Sequence, residues 1–339
     1  MKAMKSKWLA LFLTVIMTFT LLPSVVFAAG EDTGVAKIGD QTYNSVAEAI
    51  TAAGSNATTI ELTQNVSEDV TIPQGANITL YIPEGITLTN KAGHTITNNG
   101  TLTVIGAGTV DNVTHAKGAL VNYGTAILEG ATFTRSAEAS TSTTSSGGNS
   151  WYAIKNFGTM TIGREGGSND AVKVSFTGKY SSLVANGWQD GKTAGNTNKE
   201  PAHVQDAQLT IHSGTFTGGI NTIKNDDYGN LTITGGVFEN VAHYAVMNWN
   251  TASISGGTFH SDEWAVVNCG NSNLSMDKGE LTISGGSFSG TNGSVSRTTD
   301  AAAPQITGGT FSSDVSAFAG DGYVCVKQED GMYAVTGLT

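Results

Sequence analysis

The octapeptide "LTITGGVF" (Leu231–Phe238) returns as "ASISGGTF" (Ala252–Phe259) and "LTISGGSF" (Leu281–Phe288), and its reading decides the fold. Shorter copies end at Phe133 ("GATF"), Phe216 ("SGTF") and Phe311 ("TGGTF"). From Phe216 onward the aromatic advances by 22, 21, 29 and 23 residues, a period that belongs to stacked solenoid rungs. Ahead of the glycines, Leu231 and Ile233 alternate with Thr232 and Thr234, the two-residue period of a half-buried strand.

A second stretch follows the aromatics: "GALVNYG", "YAIKNFG", "NTIKNDD", "YAVMNWN" and "WAVVNCG". Each is an apolar run closed by an asparagine: Asn122, Asn156, Asn225, Asn248 and Asn268. Asparagine tolerates the left-handed region and bonds its own backbone, so it predicts a corner. One repeat therefore reads as strand, glycine corner, short aromatic-bearing strand, third strand and asparagine corner. That is one rung of an all-β, right-handed, single-stranded parallel β-helix. About twenty residues cannot bury an apolar face alone, but rungs stacked at roughly 4.8 Å pair their backbones and build a shared core. Phe216, Phe238, Phe259, Phe288 and Phe311 are expected to pile up inside, and the five asparagines to bond amide to amide. A leucine-rich repeat has a similar period, but its leucine framework is missing here.

Residues 1–28 read as a secretory signal peptide: Lys2, Lys5 and Lys7, an apolar run from Trp8 to Leu22, then small residues before the cut. An uncleaved membrane anchor is the alternative, although the run is short for a span of roughly 20 residues. Either way the remainder is expected to be extracellular, with no membrane span once the signal is removed. Loss of the three lysines leaves 14 basic against 28 acidic side chains, a net charge of −14. Such a surface argues against nucleic acid and anionic membranes as partners; it is compatible with Ca²⁺ but does not specify it. Two cysteines, Cys269 and Cys325, are too few for a disulfide framework. They either pair with each other or remain separate buried thiols.

The exported part divides into an N-terminal cap with irregular first rungs (29–100), regular rungs (101–311) and a C-terminal cap (312–339). Polar insertions are expected at 135–150, 189–205 and 291–302, and in solenoids such insertions often build the binding face. Caps are needed because open sheet edges invite association. At the front, Ser45 is the N-cap, Glu48 its capping-box partner and Gly54 the stop of a helix over 46–53. At the back, a helical turn precedes a hairpin around Asp330-Gly331.

Three constellations could carry chemistry. Glu239 and His260 each follow a ladder phenylalanine, so neighbouring rungs place them side by side, as an acid–base pair or as a surface ion pair. Lys224, Asp226 and Asp227 lie in "NTIKNDD", with Lys155 at the matching place of another rung. A uronate lyase needs such a base, often with Ca²⁺ held by carboxylates. Val121, Met247 and Val267 occupy the equivalent positions elsewhere, so no charged stripe results, and Arg135, Arg164 and Arg297 are the only arginines. A hydrolase needs two carboxyl groups about 5 to 10 Å apart, for which Asp262, Glu263 and Glu239 are candidates.

The third constellation is aromatic. Tyr152, Tyr244 and Trp264 stand four residues before an asparagine, whereas Tyr123, Phe157 and Trp249 stand just after one. Tyr244 and Trp264 on neighbouring rungs could pack against the apolar faces of sugars, or these rings could fill corners of the core. No zinc spacing, P-loop or nucleophile elbow is present, the six histidines do not cluster, and no metal or cofactor is indicated.

The segment "VAKIGDQTYNSVAEAI", the "ITGGTF" rungs and the C-terminal "SSDVSAFAGDGYVCVKQEDGMYAV" resemble secreted right-handed parallel β-helix surface proteins of Gram-positive, often gut-dwelling, bacteria. The resemblance covers nearly the whole mature chain. It implies an extracellular or wall-associated, adhesin-like protein whose partners are glycans or host surface molecules. The wider pectate-lyase-like superfold adds the alternative of a polysaccharide lyase or glycoside hydrolase. The C-terminus departs from the pattern, with no wall-sorting signal and no second hydrophobic segment.

Overall fold

The computed structural model describes residues 34–136, 151–176, 181–188, 206–240, 242–270 and 279–338, all within one compact unit, Gly34–Thr339. The signal peptide, the insertion at 189–205 and nearly all of that at 135–150 lie outside the described residues.

Every third strand of the chain meets in the same sheet, which makes three long sheets and a parallel β-helix. Gly229–Ile233, Val237–Asn240 and Tyr244–Asn248 form one rung; Thr251–Ile254, Thr258–Ser261 and Trp264–Asn268 lie parallel and in register on the next. The described residues contain nine three-stranded rungs, from Thr58–Leu62 to Gly293–Arg297, and a tenth of two strands, Gln305–Ile306 and Thr310–Phe311.

The stacking explains the recurrent "GG-x-F". A side chain on Gly235 would reach 2.3 Å from the His212 carbonyl oxygen one rung below, so the first glycine is needed for close approach of the chain to itself. Gly236 sits at φ 109°, where a side chain would also press on the Phe238 ring. The phenylalanine can then turn flat into the core. Phe216, Phe238, Phe259, Phe288 and Phe311 are fully buried in one column, with successive ring centroids 4.8, 4.6, 4.7 and 5.1 Å apart and planes within 8° of parallel. The column continues downward through Val174, Phe133, Val110, Leu88 and Val66.

The asparagines form a second internal column. Each Nδ2 donates to the next Oδ1 at 2.7 to 2.8 Å, from Asn98 through Asn122, Asn156, Asn186, Asn225 and Asn248 to Asn268. The expected left-handed corner is corrected: among the described residues, positive φ outside glycine occurs only at Ala116 and Ala131. Each asparagine instead ends an extended strand with its amide inside. Its second Nδ2 hydrogen caps a carbonyl of the turn, as from Asn122 to Gly124 and from Asn248 to Asn250. The corner is held by the side chain, so the backbone need not be strained.

Residues 291–302 also require correction, because they do not leave the solenoid. Gly293–Arg297 is the ninth strand of the third sheet and pairs with Trp264–Asn268, burying Val295 where other rungs bury Val246 and Val266. Its serines disguise a rung as a loop.

Antiparallel hairpins close both ends. Ala36–Ile38 pairs with Gln41–Tyr43 and with the first rung strand; Tyr333–Gly337 pairs with Tyr323–Lys327 and with Thr310–Phe311. The helix Val46–Ala53 seats Val46, Ala49, Ile50 and Ala53 on the core. Ser45 Oγ accepts the Glu48 N–H at 3.0 Å, and Gly54 ends the helix at φ 59°. The capping box is shifted, however: Glu48 accepts from Asn44, while Glu68 from the first rung takes the Val46 and Ala47 N–H groups. Glu48 thus reaches one residue short of the N-cap N–H, and a tertiary carboxylate satisfies the next two N–H groups of the helix.

His94 gives the fold a pH dependence. Its Nδ1 accepts the Gly118 N–H at 2.9 Å and its ring lies 4.5 Å from Trp151; burial, then the nearby Lys117, press its pKa down to about 4. The folded protein holds His94 neutral, while the unfolded chain protonates it below about pH 6.5. Its contribution is therefore complete above that pH and is lost as pH falls toward 4. The urea midpoint should drop between pH 7 and pH 5, and His94→Asn, which keeps an acceptor without titrating, should flatten that drop.

Candidate functional site

The three outer faces differ. On the first sheet, Thr161, Thr210, Thr232, Ser253 and Thr282 follow one another in register. On the second, Thr258, Ser287 and Thr310 do the same. Short β-branched and hydroxyl side chains suit a solvated strand face and need no further explanation. The third sheet breaks this rule. One outward column runs Val121, Lys155, Ala185, Lys224, Met247, Val267. A second runs Asn221, Tyr244, Trp264, Gly293, with Ser182 hydrogen-bonded below Asn221.

The structure brings the predicted lysines and Asp226 together. Lys224 Nζ lies 2.6 Å from Asp226 Oδ1, and Lys155 Nζ, two rungs away, lies 3.2 Å from Oδ2. Lys155 also sits 4.6 Å from the Tyr152 ring and 5.0 Å from that of Phe157. Lys155 and Asp226 are no more than 2 % exposed, and Asp227 is buried beside them. Burial pushes the Asp226 carboxyl upward, but Lys224 and then Lys155 outweigh it and hold the carboxyl below its ordinary range. Burial pulls Lys224 down, and Asp226 reverses this and holds the ammonium above its ordinary value. A lysine fixed in its protonated form cannot abstract a proton, and a carboxylate fixed in its ionised form cannot donate one. This geometry supports a tie across three rungs rather than an acid–base pair.

Glu239 and His260 are in register on the second sheet. His260 Nδ1 lies 2.9 Å from Ser289 Oγ, and among the described residues no ion pair joins it to Glu239. Glu263 faces His243 Nε2 at 3.9 Å. Tyr244 and Trp264 stand on adjacent rungs, both half-buried, without stacking on each other. Tyr244 tilts against His243 at 5.2 Å; Trp264 lies over Gly293, whose missing side chain makes the room. Burial and the Glu263 carboxylate keep the Tyr244 phenol above its usual pKa and hence neutral. Trp249 is half-buried just past the amide column, apart from Tyr244 and Trp264.

Sequence reading missed Asn98, Asn186 and Asn221, and the parallel Trp188–Tyr228 stack at 4.5 Å. "LVANG" before Trp188 carried the asparagine signal in plain view. Cys269 and Cys325 are both unbonded thiols, and burial pushes that of Cys269 up to about 12. Among the described residues, no group of three or more His, Cys, Asp or Glu could hold a metal, and no helix is long and apolar enough to cross a membrane.

Fold and faces define a parallel β-helix with two sides rich in threonine and serine, the second of which also carries Glu239 and His260, and a third side that carries aromatic groups and the Lys155–Asp226–Lys224 tie. No protein family, no curated protein and no solved structure matches the chain.

Proposed function

We propose that this is a secreted or cell-surface, adhesin-like β-helix of the Gram-positive kind it resembles, which presents its third-sheet face to glycans or host surface molecules without transforming them. The carrying observation is the placement of half-exposed Tyr244 and Trp264 on adjacent rungs of that one face. Aromatic rings with a polar edge suit the C–H faces and hydroxyls of sugars. The protonated state of Lys224 and the ionised state of Asp226 support binding over elimination chemistry.

The test is a glycan array run beside an assay for released reducing ends and unsaturated uronates. The expected result is retention without release, lost in Trp264→Ala. Product release abolished by Lys224→Ala or Glu239→Ala would instead establish the lyase or hydrolase reading.

A further inference from the structure

Asn221 stands one rung before Tyr244 in the same outward column and is only 5 % exposed. Its Nδ2 donates to Ser182 Oγ at 3.2 Å, while its Oδ1 has no hydrogen-bond partner among the described residues. Turning the amide over only changes which end is left alone, because the Ser182 hydroxyl can donate or accept. Buried amides are rarely left half-satisfied in proteins, and one beside two half-exposed rings marks a place where a donor from outside belongs. Tyr244 and Trp264 lie about 5 and 10 Å further along the rod, within the reach of a short oligosaccharide.

Charge narrows the ligand. Both lysines of the face close on Asp226, and Glu263 stands next to Trp264 on its flank. With the mature chain at −14, an acidic sugar would approach a negative field and find neither lysine available to receive it.

We propose that Asn221, Tyr244 and Trp264 form a subsite for an uncharged sugar residue. Asn221 accepts a hydroxyl or acetamido hydrogen, and the two rings pack on the sugar's C–H face. The Asn221 oxygen is covered in the sugar-free protein, so binding includes a turn of this side chain toward Tyr244. The inference rests on the glycan-binding reading and narrows it to neutral sugars.

The experiment compares retention of the full chain on neutral hexose and N-acetylhexosamine oligosaccharides with retention on the same backbones bearing uronate, sialyl or sulfate groups. Neutral sugars should retain the protein, Asn221→Leu should bind them roughly tenfold more weakly, and Trp264→Ala should not bind them. The Tm of Asn221→Leu should hold or rise, since leucine removes the orphaned group; a structural role for Asn221 would lower it. Trp264→Ala changes a half-exposed ring and reads the same subsite independently of Asn221. Retention confined to acidic sugars, wild-type binding by Asn221→Leu, or a fall in its Tm would overturn the subsite and leave glycan binding standing. No retention on any sugar would overturn both.

Discussion

Asn225→Asp should destabilise the protein by about 3–5 kcal/mol at pH 7, enough to unfold much of it, and should do less harm in acid. In the wild type, Asn225 Nδ2 donates to Asn248 Oδ1 at 2.8 Å, to Gly229 O at 2.7 Å and to Thr251 O at 3.0 Å. A carboxylate would set a charged acceptor against those three acceptors in a fully buried site. Its folded pKa would therefore rise above the unfolded value of about 3.9. The penalty is small below that pH and grows as pH increases, opposite in direction to the effect of His94. Urea midpoints of the variant at pH 4 and pH 7 measure it. An Asn225→Asp protein as stable as wild type at pH 7 would show that the amide column does not hold the rungs.

Phe259→Ala should cost about 3–5 kcal/mol, because the ring is fully buried and leaves a cavity that flanking rungs cannot close. Phe259 stacks on Phe238 and Phe288, whereas Phe311 stacks only on Phe288. Phe311→Ala should therefore cost less, by about 0.5–1.5 kcal/mol for the missing ring pair. Denaturant melts of both variants decide this. Equal losses would mean that the rings contribute buried area alone, without stacking.

The recurrence of Phe and Asn made the two internal columns legible, since residues that repeat at the rung period must stack. Ser45, Gly54 and Asp330-Gly331 made the caps legible, because turns and helix ends are local chemistry. What escaped depends on distance along the chain. Lys155 and Asp226, 71 positions apart with an insertion between them, could be grouped by matching rungs, but that they close into a buried ion pair follows only from the register of the intervening rungs. Glu68 takes over two helix N–H groups from the next element, which no local capping rule anticipates. Gly293–Arg297 hid because a rung needs only one inward apolar residue there, Val295, when its neighbours already supply the pattern. The aromatic face was legible as positions, but the tilt of Tyr244 toward His243 and of Trp264 over Gly293 follows from packing.

In-register stacking is tested most directly by electron–electron distances between spin labels on the first sheet's outer column. Thr103 is paired in turn with Thr232, Ser253 and Thr282, in a Cys269→Ala, Cys325→Ser background. These positions lie four, five and six rungs from Thr103. The rod predicts separations of about 19, 24 and 29 Å, rising by one strand spacing at each step. Distances that fail to rise in even steps would contradict it.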